Sequence, residues 1–526
     1  MDAGIKGAYA YPGTPSTEIM EYLVSAAQAD GAFHARWSAN EKVAFEEALG
    51  MSLIGRRAIV CMKHVGLNVA ADPFMNSALT GAGGGLVVVV ADDPGMHSSQ
   101  NEQDSRYYAE FAKIPCFEPA DQQECYDMTR EAFALSEMCQ TPVMVRIVTR
   151  IAHARSPIET HAPETPSGDA LEDFRSNREL SRRWTLLPAN ARRQFIKLLE
   201  RQTELESYSH DSNFNVETGG GGKLGVLCSG VGAAYATEAL ALAKLDLPSL
   251  KLGVYPISRK KLKSFIGRLD EVLVVEDGYP FIEERLLGWI GAGPRIRGRL
   301  DGTLPRTGEM DTNKALRALA ALTGKPAPAE ARAVSGLPPR PPALCAGCPH
   351  TDTFRALNEA VAGKKPANVF SDIGCYALGV LPPHQAINSC VEMGASLGMA
   401  KGASEGGLTY SVAVLGESTF AHSGLASLRG AAIENTPMTL IILDNGTVAM
   451  TGGQESAATG EALVSMVKGL GADPRHVRLI DPLPRSHAEN VKIIREELEH
   501  RGLSVIISQR ECVQTARKSK KKGRSK

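Results

Sequence analysis

The chain has 526 residues, too many for one ordinary domain and enough for about three. Hydrophobic residues make up 43% and charged residues 22%, and the formal net charge is -1, so the composition is globular and gives no sign of nucleic-acid or anionic-membrane binding. No apolar run approaches the roughly 20 residues that span a bilayer, no secretion signal is visible, and ten cysteines are too sparse for a disulfide scaffold, so we expect a cytoplasmic protein.

Residues 1–155 alternate between strand and helix patterns. Helically spaced apolar residues predict a helix at 41–54, and short β-branched runs predict buried parallel strands at 7–11, 58–62, 85–91 and 143–148. The next segment, 156–222, is rich in Pro, Ser, Glu and Arg. It is predicted to be a linker that contains one helix, at 189–204.

The α/β pattern returns in two further blocks. The middle block covers 223–325, with strands predicted at 225–228 and 272–275. A Pro/Ala-rich linker follows at 326–342. The third block covers 343–512, with strands predicted at 412–415, 440–443 and 504–507, and the basic tail 513–526 is predicted to be solvated and disordered. The expected fold class is α/β, with three doubly wound and mostly parallel sheets.

Polar residues follow two predicted strands of the third block. Gly416-Glu417-Ser418 comes after one strand, and Asp444-Asn445-Gly446-Thr447 ends another, with Glu417 and Asn445 28 positions apart. Ligands of open parallel sheets gather at the carboxyl ends of strands. A diphosphate held there needs a hard cation, and Glu417, Asn445 and the Thr447 carbonyl would be oxygen ligands for Mg²⁺. The alternative is two unrelated turns after core strands.

Three segments of the first block have both a structural and a functional interpretation. The turn 11–18 contains Thr14 and could be only a capped strand-to-helix turn. Glu41 begins a helix, where an acidic residue often serves only to compensate the helix dipole. The loop 99–108 contains Arg106 and could be plain polar surface.

The cysteines form one concentrated group. Cys345 and Cys348 form a close pair, and Cys375 and Cys512 follow in the same block. Four thiolates from one domain could hold a [4Fe-4S] cluster. The alternatives are a zinc ribbon, which usually shows two close pairs, or free buried thiols. The other six are expected in the core: Cys61, Cys116, Cys125, Cys139, Cys228 and Cys390.

These pieces resemble, in their order from Tyr9 to Cys512, the thiamine-diphosphate-dependent 2-oxoacid:ferredoxin oxidoreductases, and among them the large (alpha) subunits of the indolepyruvate branch. The resemblance implies the thiamine-diphosphate-binding fold. Residues 1–155 would bind the pyrimidine end of the cofactor, and 343–512 would bind the diphosphate end. The middle block, 223–325, would be a transketolase C-terminal-like domain.

The resemblance also implies roles for single residues. Thr14 would hydrogen-bond the 2-oxo acid, Arg106 would clamp its carboxylate, and Glu41 would assist proton movement at the aminopyrimidine. Cofactor-binding residues would further include His350, Gly374, Cys375, Gly416, Glu417, Ser418, Asn445, Thr447 and Thr451. Glu417 stands where the family has Asp, and its extra methylene, which moves the carboxylate by roughly an ångström, is expected to weaken Mg²⁺ binding or admit a water.

The implied reaction is oxidative decarboxylation of an aryl 2-oxo acid such as indolepyruvate, with coenzyme A taking the acyl group and ferredoxin or another carrier taking the electrons. We expect a dimer of this chain with a smaller beta subunit. The sequence ends shortly after Cys512 without the two-cluster ferredoxin module of longer members, so electrons are expected to leave through another subunit or protein. The alternatives are a non-oxidative 2-oxoacid decarboxylase and a degenerate subunit without turnover.

Overall fold

The computed structural model describes residues 1–164, 178–289, 293–327, 336–338, 340 and 342–524. The chain divides into two compact units, Met1–Ala333 and Val334–Lys526. Parts of both predicted linkers, namely 165–177 and 328–335 with positions 339 and 341, lie outside the described residues.

The first unit contains two sheets. Its strands are Gly7–Ala10 (β1), His34–Trp37 (β2), Ala58–Lys63 (β3), Leu86–Asp92 (β4), Cys116–Phe117 (β5), Val143–Val148 (β6), Glu217–Thr218 (β7), Leu224–Ser229 (β8), Ser249–Leu252 (β9), Val254–Tyr255 (β10), Glu271–Val275 (β11) and Arg295–Arg297 (β12). Its helices are Thr17–Asp30 (α1), Glu41–Leu53 (α2), His64–Val69 (α3), Ala71–Thr80 (α4), Arg106–Ala112 (α5), Gln122–Cys139 (α6), Thr149–His153 (α7), Arg178–Trp184 (α8), Pro188–Asp211 (α9), Gly230–Ala243 (α10), Arg259–Ile266 (α11), Phe281–Trp289 (α12) and Thr312–Thr323 (α13).

Within the described residues, the strands form a seven-stranded sheet in the order β10-β5-β6-β4-β3-β1-β2 and a five-stranded sheet in the order β12-β11-β8-β9-β7. Neighbouring strands are parallel except at two edges, where β10 pairs antiparallel with β5 and β7 pairs antiparallel with β9. Because β10 comes from the middle of the chain but joins the first sheet, the two sheets are parts of one folded unit.

The first sheet is buried on both faces. Val60 and Met62 of β3 belong to one hydrophobic cluster, in which Phe45 and Phe74 meet edge to face at 6.1 Å. Their neighbour Cys61 belongs to the cluster on the other face. Successive side chains of a strand point to opposite faces, so apolar residues at every position require cover on both sides. The predicted doubly wound α/β arrangement is therefore confirmed.

A buried network of charges joins the two sheets. Arg146 of β6 is fully buried, and its guanidinium contacts Asp92 at 2.6 Å and Glu118 at 2.5 Å. It also donates to the carbonyl of Asp277, which follows β11 of the second sheet, at 3.0 Å. A buried charge is tolerated only when it is paired and hydrogen-bonded, so these contacts fix the second sheet against the first.

The second unit contains one parallel sheet. Its strands are Ala367–Ser371 (β13), Ser389–Cys390 (β14), Tyr410–Gly416 (β15), Met438–Asp444 (β16), Val477–Ile480 (β17) and Leu503–Gln509 (β18). Its helices are Pro349–Val361 (α14), Ala395–Glu405 (α15), Glu417–Thr419 (α16), Leu425–Glu434 (α17), Gly460–Gly469 (α18), His487–Glu499 (α19) and Val513–Arg524 (α20). In the described part of this unit the strand order is β14-β13-β15-β16-β18-β17, with parallel pairs throughout.

Two sequence-based expectations about the third block are wrong. The basic tail is not irregular, because α20 extends to Arg524 and its Gln514 amide contacts the Cys345 sulfur at 3.2 Å. Cys390 is exposed rather than in the core, because it ends the short edge strand β14. Among the described residues, no helix is both long and apolar enough to cross a membrane.

The buried network predicts a large difference between two nearby arginines. Arg146→Met should lower the free energy of unfolding by about 3–5 kcal/mol, because Asp92 and Glu118 would stay buried without their cation. Arg150→Met is the matched control. Arg150 pairs with Glu309 at 2.8 Å at an exposed position, and its loss should cost less than about 1 kcal/mol. Chemical denaturation of both variants measures the difference; equal losses would contradict the role given to the network.

Candidate functional site

The carboxyl edge of the first sheet carries one group of candidate site residues. The strands β4, β3, β1 and β2 are adjacent and parallel, so the segments that follow them emerge side by side. These segments contain Thr14 after β1, Glu41 after β2, the pair Lys63-His64 at the end of β3, and the loop 93–105 after β4.

Glu41 is the first residue of α2. The Asn40 side chain caps this helix by accepting a hydrogen bond from the Val43 amide at 2.9 Å. Glu41 is buried, and its side chain lies against the backbone of Gly66 in α3. A Cβ at Gly66 would lie 2.7 Å from Glu41 Cγ and Oε1, so a side chain at this position would displace the Glu41 side chain.

Thr14 lies in the turn between β1 and α1. The turn is closed by Ser16, whose hydroxyl donates to the Gly13 carbonyl at 2.7 Å. A Cβ at Gly13 would lie 3.3 Å from Lys63 Cβ, so the Thr14 turn packs against the end of β3. The corner between β3 and α3 thus makes two contacts. Its Lys63 packs against the Thr14 turn, and its Gly66 packs against Glu41.

Lys63 and His64 were missed in the sequence. Both are buried, and the signal for them is that they directly follow the buried strand pattern of β3. The Lys63 ammonium donates to the Ser98 carbonyl at 2.8 Å, and His64 Nε2 lies 3.2 Å from Asn101 Oδ1. Both contacts lead into the loop that follows β4.

Arg106 does not lie at an open site. It begins α5, its side chain is fully buried, and its guanidinium contacts Asp104 at 2.5 Å and Glu276 at 2.9 Å. Further donors reach the Ser229 hydroxyl and the Tyr279 carbonyl. Arg106 is therefore part of the buried network between the two sheets. This role differs from the one predicted for it, which was to bind the carboxylate of the substrate.

A second group of candidate site residues lies at the carboxyl edge of the sheet in the second unit. Glu417 follows β15 and is buried; its carboxylate accepts hydrogen bonds from the backbone amides of Thr447 at 3.0 Å and Asn445 at 3.4 Å. Thr447 N also lies 3.2 Å from Asn445 Oδ1. A carboxylate oxygen of Glu417 and the side-chain oxygen of Asn445 therefore both contact the Thr447 amide. Gly446, between them, has φ +74°, which turns the chain.

Glu417 stands where the resembled family has Asp. Its longer side chain reaches the backbone amides of this turn. Burial raises the pKa of its carboxyl to about 8, and the neighbouring Asp444 adds to the shift. Asp444 itself is held by the Thr459 hydroxyl at 2.7 Å and the Gly460 amide at 2.8 Å.

His350 supports the Asn445 side chain. Its Nε2 lies 3.4 Å from Asn445 Nδ2, and burial lowers the pKa of His350 to about 4. A neutral ring at Nε2 can accept from the Asn445 amide group, which leaves Asn445 Oδ1 directed toward Thr447.

Two predicted glycines meet the ring of Tyr376. A Cβ at Gly374 would overlap this ring, and a Cβ at Gly416 would lie 2.9 Å from its Cε1. The Tyr376 hydroxyl in turn donates to Thr419 Oγ1 at 2.9 Å. Tight packing beside the Glu417 turn is therefore a structural reason for glycine at these two positions.

Thr451 and Ser418 flank the same turn. The Thr451 hydroxyl donates to Gln454 Oε1 at 2.6 Å, and Gln454 also accepts from the Thr447 hydroxyl at 2.8 Å through its backbone carbonyl. Ser418 is half-buried in the short helix α16 that Glu417 begins.

The four predicted cluster cysteines lie close enough to influence one another electrostatically. Burial raises the pKa of the Cys375 thiol to about 11, and the other three cysteines add to the shift. The Cys512 amide donates to the Asn445 carbonyl at 3.0 Å, which links the fourth cysteine to the Glu417–Asn445 turn. Among the described residues, no group of three or more His, Cys, Asp or Glu side chains is arranged to hold a single metal ion.

Comparisons with known proteins assign both units. A family model described as "Pyruvate flavodoxin/ferredoxin oxidoreductase, thiamine diP-bdg" matches residues 1–212, and "Thiamine pyrophosphate enzyme, C-terminal TPP binding domain" matches 372–508. The indolepyruvate oxidoreductase subunit IorA of Archaeoglobus fulgidus is 37% identical over 97% of this chain and 84% of its own length. The same subunit of Pyrococcus abyssi is 38% identical over 96% of this chain and 83% of its own length.

The chain belongs to the IorA family of indolepyruvate oxidoreductase subunits.

Membership in the IorA family makes this chain part of a thiamine-diphosphate-dependent 2-oxoacid oxidoreductase. The two matched ranges contain Glu41 in the first and both Glu417 and Asn445 in the second. A solved 2-oxoglutarate:ferredoxin oxidoreductase from Magnetococcus marinus is a more distant likeness, with a TM-score of 0.45 and 16% identity over 56% of this chain and 59% of that one.

The contact between Gly66 and Glu41 gives a test within this IorA-family chain. We predict a role for Glu41 at the cofactor. Gly66→Ala should therefore lower 2-oxo acid turnover at least about tenfold, because the added methyl group displaces the Glu41 carboxylate and a shift of about 1 Å at a catalytic group can cost about a hundredfold.

Gly50→Ala is the matched control, because Gly50 is helical and a Cβ there meets nothing within 4 Å. It should leave turnover unchanged and raise the free energy of unfolding by about 0.5–1 kcal/mol. Steady-state kinetics and denaturation of both variants check this. Full activity of Gly66→Ala would show that the position of Glu41 is not critical.

Proposed function

We propose that this chain catalyses oxidative decarboxylation of aryl 2-oxo acids such as indolepyruvate, with coenzyme A as acyl acceptor and ferredoxin or another carrier as electron acceptor. The observation that carries the proposal is that the backbone of Asn445 makes two hydrogen bonds. Its N–H donates to the Glu417 carboxylate, and its carbonyl accepts from the Cys512 amide. One turn therefore connects the candidate cofactor residues with the candidate redox residues.

The donor set of the second unit fits Mg²⁺. Glu417 supplies a buried carboxylate, Asn445 an amide oxygen and Thr447 a backbone carbonyl, and Mg²⁺ prefers such oxygen ligands together with phosphate oxygens. A buried carboxylate whose pKa burial has raised gains most from a nearby cation, because the cation stabilises its charged form. We assign the magnesium-diphosphate end of the cofactor to these residues.

Thiamine diphosphate, when bound, supplies the carbanion chemistry that breaks the bond to the carboxylate. The protein residues position the reactants and move protons. Glu41, buried and fixed by the cap at Asn40, would hold or release a proton at the aminopyrimidine. Thr14, held in the turn closed by Ser16, would hydrogen-bond the 2-oxo acid.

The four cysteines fit a [4Fe-4S] cluster better than a single metal ion. Each thiolate of such a cluster binds a different iron atom, so the sulfurs stand farther apart than the ligands of one ion do. Cys345 and Cys512 help to raise the pKa of the Cys348 thiol, and these two together with Cys348 help to raise that of Cys375, which supports a shared site. Such a cluster would accept electrons one at a time and would distinguish this reaction from simple decarboxylation.

The relatives are named as subunits of an oxidoreductase. We therefore propose that this chain assembles with a smaller beta subunit, works as a dimer of this chain within that assembly, and acts in the cytoplasm, where ferredoxins are available as electron carriers.

The decisive experiment is anaerobic purification with the beta subunit, followed by assays of coenzyme A-dependent reduction of ferredoxin or methyl viologen. We expect turnover of indolepyruvate and phenylpyruvate and less of pyruvate. Aldehyde formation without electron transfer would favour a non-oxidative decarboxylase. Failure with every 2-oxo acid would favour a subunit without turnover.

Substitutions at Glu417 test the magnesium assignment. Glu417→Gln should weaken binding of thiamine diphosphate with Mg²⁺ at least about tenfold, because it removes the only charged ligand proposed and a charged contact is worth about 1.5–3 kcal/mol. Glu417→Asp keeps the charge and should bind more tightly than Glu417→Gln. Titration calorimetry of the apoprotein measures both; wild-type affinity in Glu417→Gln would exclude the assignment.

Substitutions of cysteines test the cluster. Cys348→Ser and Cys375→Ser should each lower the iron and acid-labile sulfide content of anaerobically purified protein by more than about half, because a cluster needs its thiolate ligands. Cys390→Ser is the control, because Cys390 is an exposed thiol of the same unit outside the proposed ligand set. Equal iron content in all three variants would reject the ligand set.

A further inference from the structure

Three buried polar atoms lack a hydrogen-bond partner at the carboxyl edge of the first sheet. They are the Thr17 hydroxyl after β1, His64 Nδ1 after β3 and Gln103 Oε1 after β4. Their strands are adjacent in the sheet. A buried polar atom without a partner is rare in proteins and usually marks a catalytic role or a place for a water, an ion or a ligand. Three on one sheet edge indicate a polar ligand there.

Lys63 supplies a buried positive charge at the same edge. Its ammonium reaches the Ser98 carbonyl at 2.8 Å, and among the described residues no carboxylate lies within ion-pair distance of it. Burial lowers the pKa of Lys63, and the charge of Asp93 opposes that shift. The Asp93 carboxylate is itself engaged by Ser99 at 2.5 Å and Thr149 at 2.7 Å. Lys63 therefore has ammonium protons that protein anions do not use.

The position of this pair matches that of a substrate group. Lys63 packs against Gly13, which directly precedes Thr14, and two residues beyond His64 the chain contacts Glu41 through Gly66. Thr14 and Glu41 are the residues of this unit that we assign to the 2-oxo acid and the cofactor. An anion bound by Lys63 and His64 would therefore lie at the corner of the chain that contacts both the Thr14 turn and Glu41.

We propose that Lys63 and His64 bind the carboxylate of the 2-oxo acid. The inference rests on the proposed function and assigns to this pair the recognition that the sequence had assigned to Arg106. A 2-oxo acid carries its carboxylate next to the reacting carbonyl carbon, so the cation that binds this carboxylate is expected near Thr14, which we assign to the same molecule.

Lys63 and His64 would each bind a different oxygen of the carboxylate. The Lys63 ammonium supplies charge and donates hydrogen bonds to one carboxylate oxygen. His64 Nε2 is engaged by Asn101, so Nδ1 is the nitrogen left for the ligand, and it donates to the second oxygen when the ring carries a proton there. Arg106 has no comparable free donor, because its guanidinium is shared among protein oxygens.

Lys63→Met and Lys63→Arg test the charge in the assembled enzyme. Phenylpyruvate oxidation with coenzyme A and methyl viologen gives KM and kcat. Competitive inhibition by 3-phenylpropionate and by its neutral amide reports carboxylate recognition without turnover. Lys63→Met should raise KM and the inhibition constant of the carboxylate about 10- to 100-fold, as expected for loss of a charge-assisted hydrogen bond. Inhibition by the amide should stay within about twofold, and Lys63→Arg should restore most of the loss.

His64→Gln is the second variant and keeps a hydrogen-bonding side chain of similar size. It should raise the inhibition constant of 3-phenylpropionate by about threefold or more, with the amide again unaffected. Lys260→Met, at an exposed lysine of α11, is the charge control and should change nothing. Thermal unfolding and calorimetric binding of thiamine diphosphate should match wild type in every variant, which separates recognition from a folding defect.

Equal weakening of the carboxylate and the amide in both variants, or an unchanged KM for phenylpyruvate, would overturn the inference. A fold or cofactor-binding defect in Lys63→Met leaves the decision to His64→Gln and Lys63→Arg. A wild-type enzyme that oxidises no 2-oxo acid would reject the proposed function itself. Normal wild-type turnover with unaffected Lys63 and His64 variants would reject only the carboxylate site.

Discussion

The shared direction of parallel strands is the constraint on which both groups of candidate site residues depend. In a parallel sheet every carboxyl end lies at the same edge, so residues distant in the sequence emerge side by side. Thr14, Glu41 and Lys63 follow β1, β2 and β3 of the first unit, and Glu417, Asn445 and Cys512 follow β15, β16 and β18 of the second. The apolar strands that look like plain core in the sequence thus decide where the polar residues meet.

Buried charge has two different roles in the first unit. Arg146 and Arg106 are surrounded by carboxylates and carbonyls of the protein, and these contacts hold the first sheet to the second. The burial of these acidic groups costs free energy. Burial raises the pKa of Glu276 to about 7, although the charge of Arg106 opposes the shift. Lys63 is buried and donates to the Ser98 carbonyl, but among the described residues it has no carboxylate within ion-pair distance. A cation that the protein neutralises stabilises the fold, whereas a cation that it leaves unpaired is available to a ligand.

The turn at Asn445 is the corresponding centre of the second unit. His350 fixes its amide group, Glu417 meets its backbone, and Cys512 contacts its carbonyl. Cofactor binding and electron removal would therefore depend on the geometry of one short turn. This coupling gives a physical reason why a substitution at Asn445 would disturb both functions together.

The sequence by itself determined the fold class and the main strands, because continuous β-branched runs and the polar turns after them are local patterns, and the resemblance of its motifs to a known family indicated the cofactor. It marked Glu41, Glu417 and Asn445 for the same reason. It did not reveal that the strand Val254–Tyr255 joins the first sheet, or that Arg106 is enclosed by Asp104 and Glu276. Nor did it single out Lys63 and His64, because their place in the sequence indicates only the end of a buried strand. Only the tertiary structure decided these points, because the partners of a buried charge come from segments far apart in the chain.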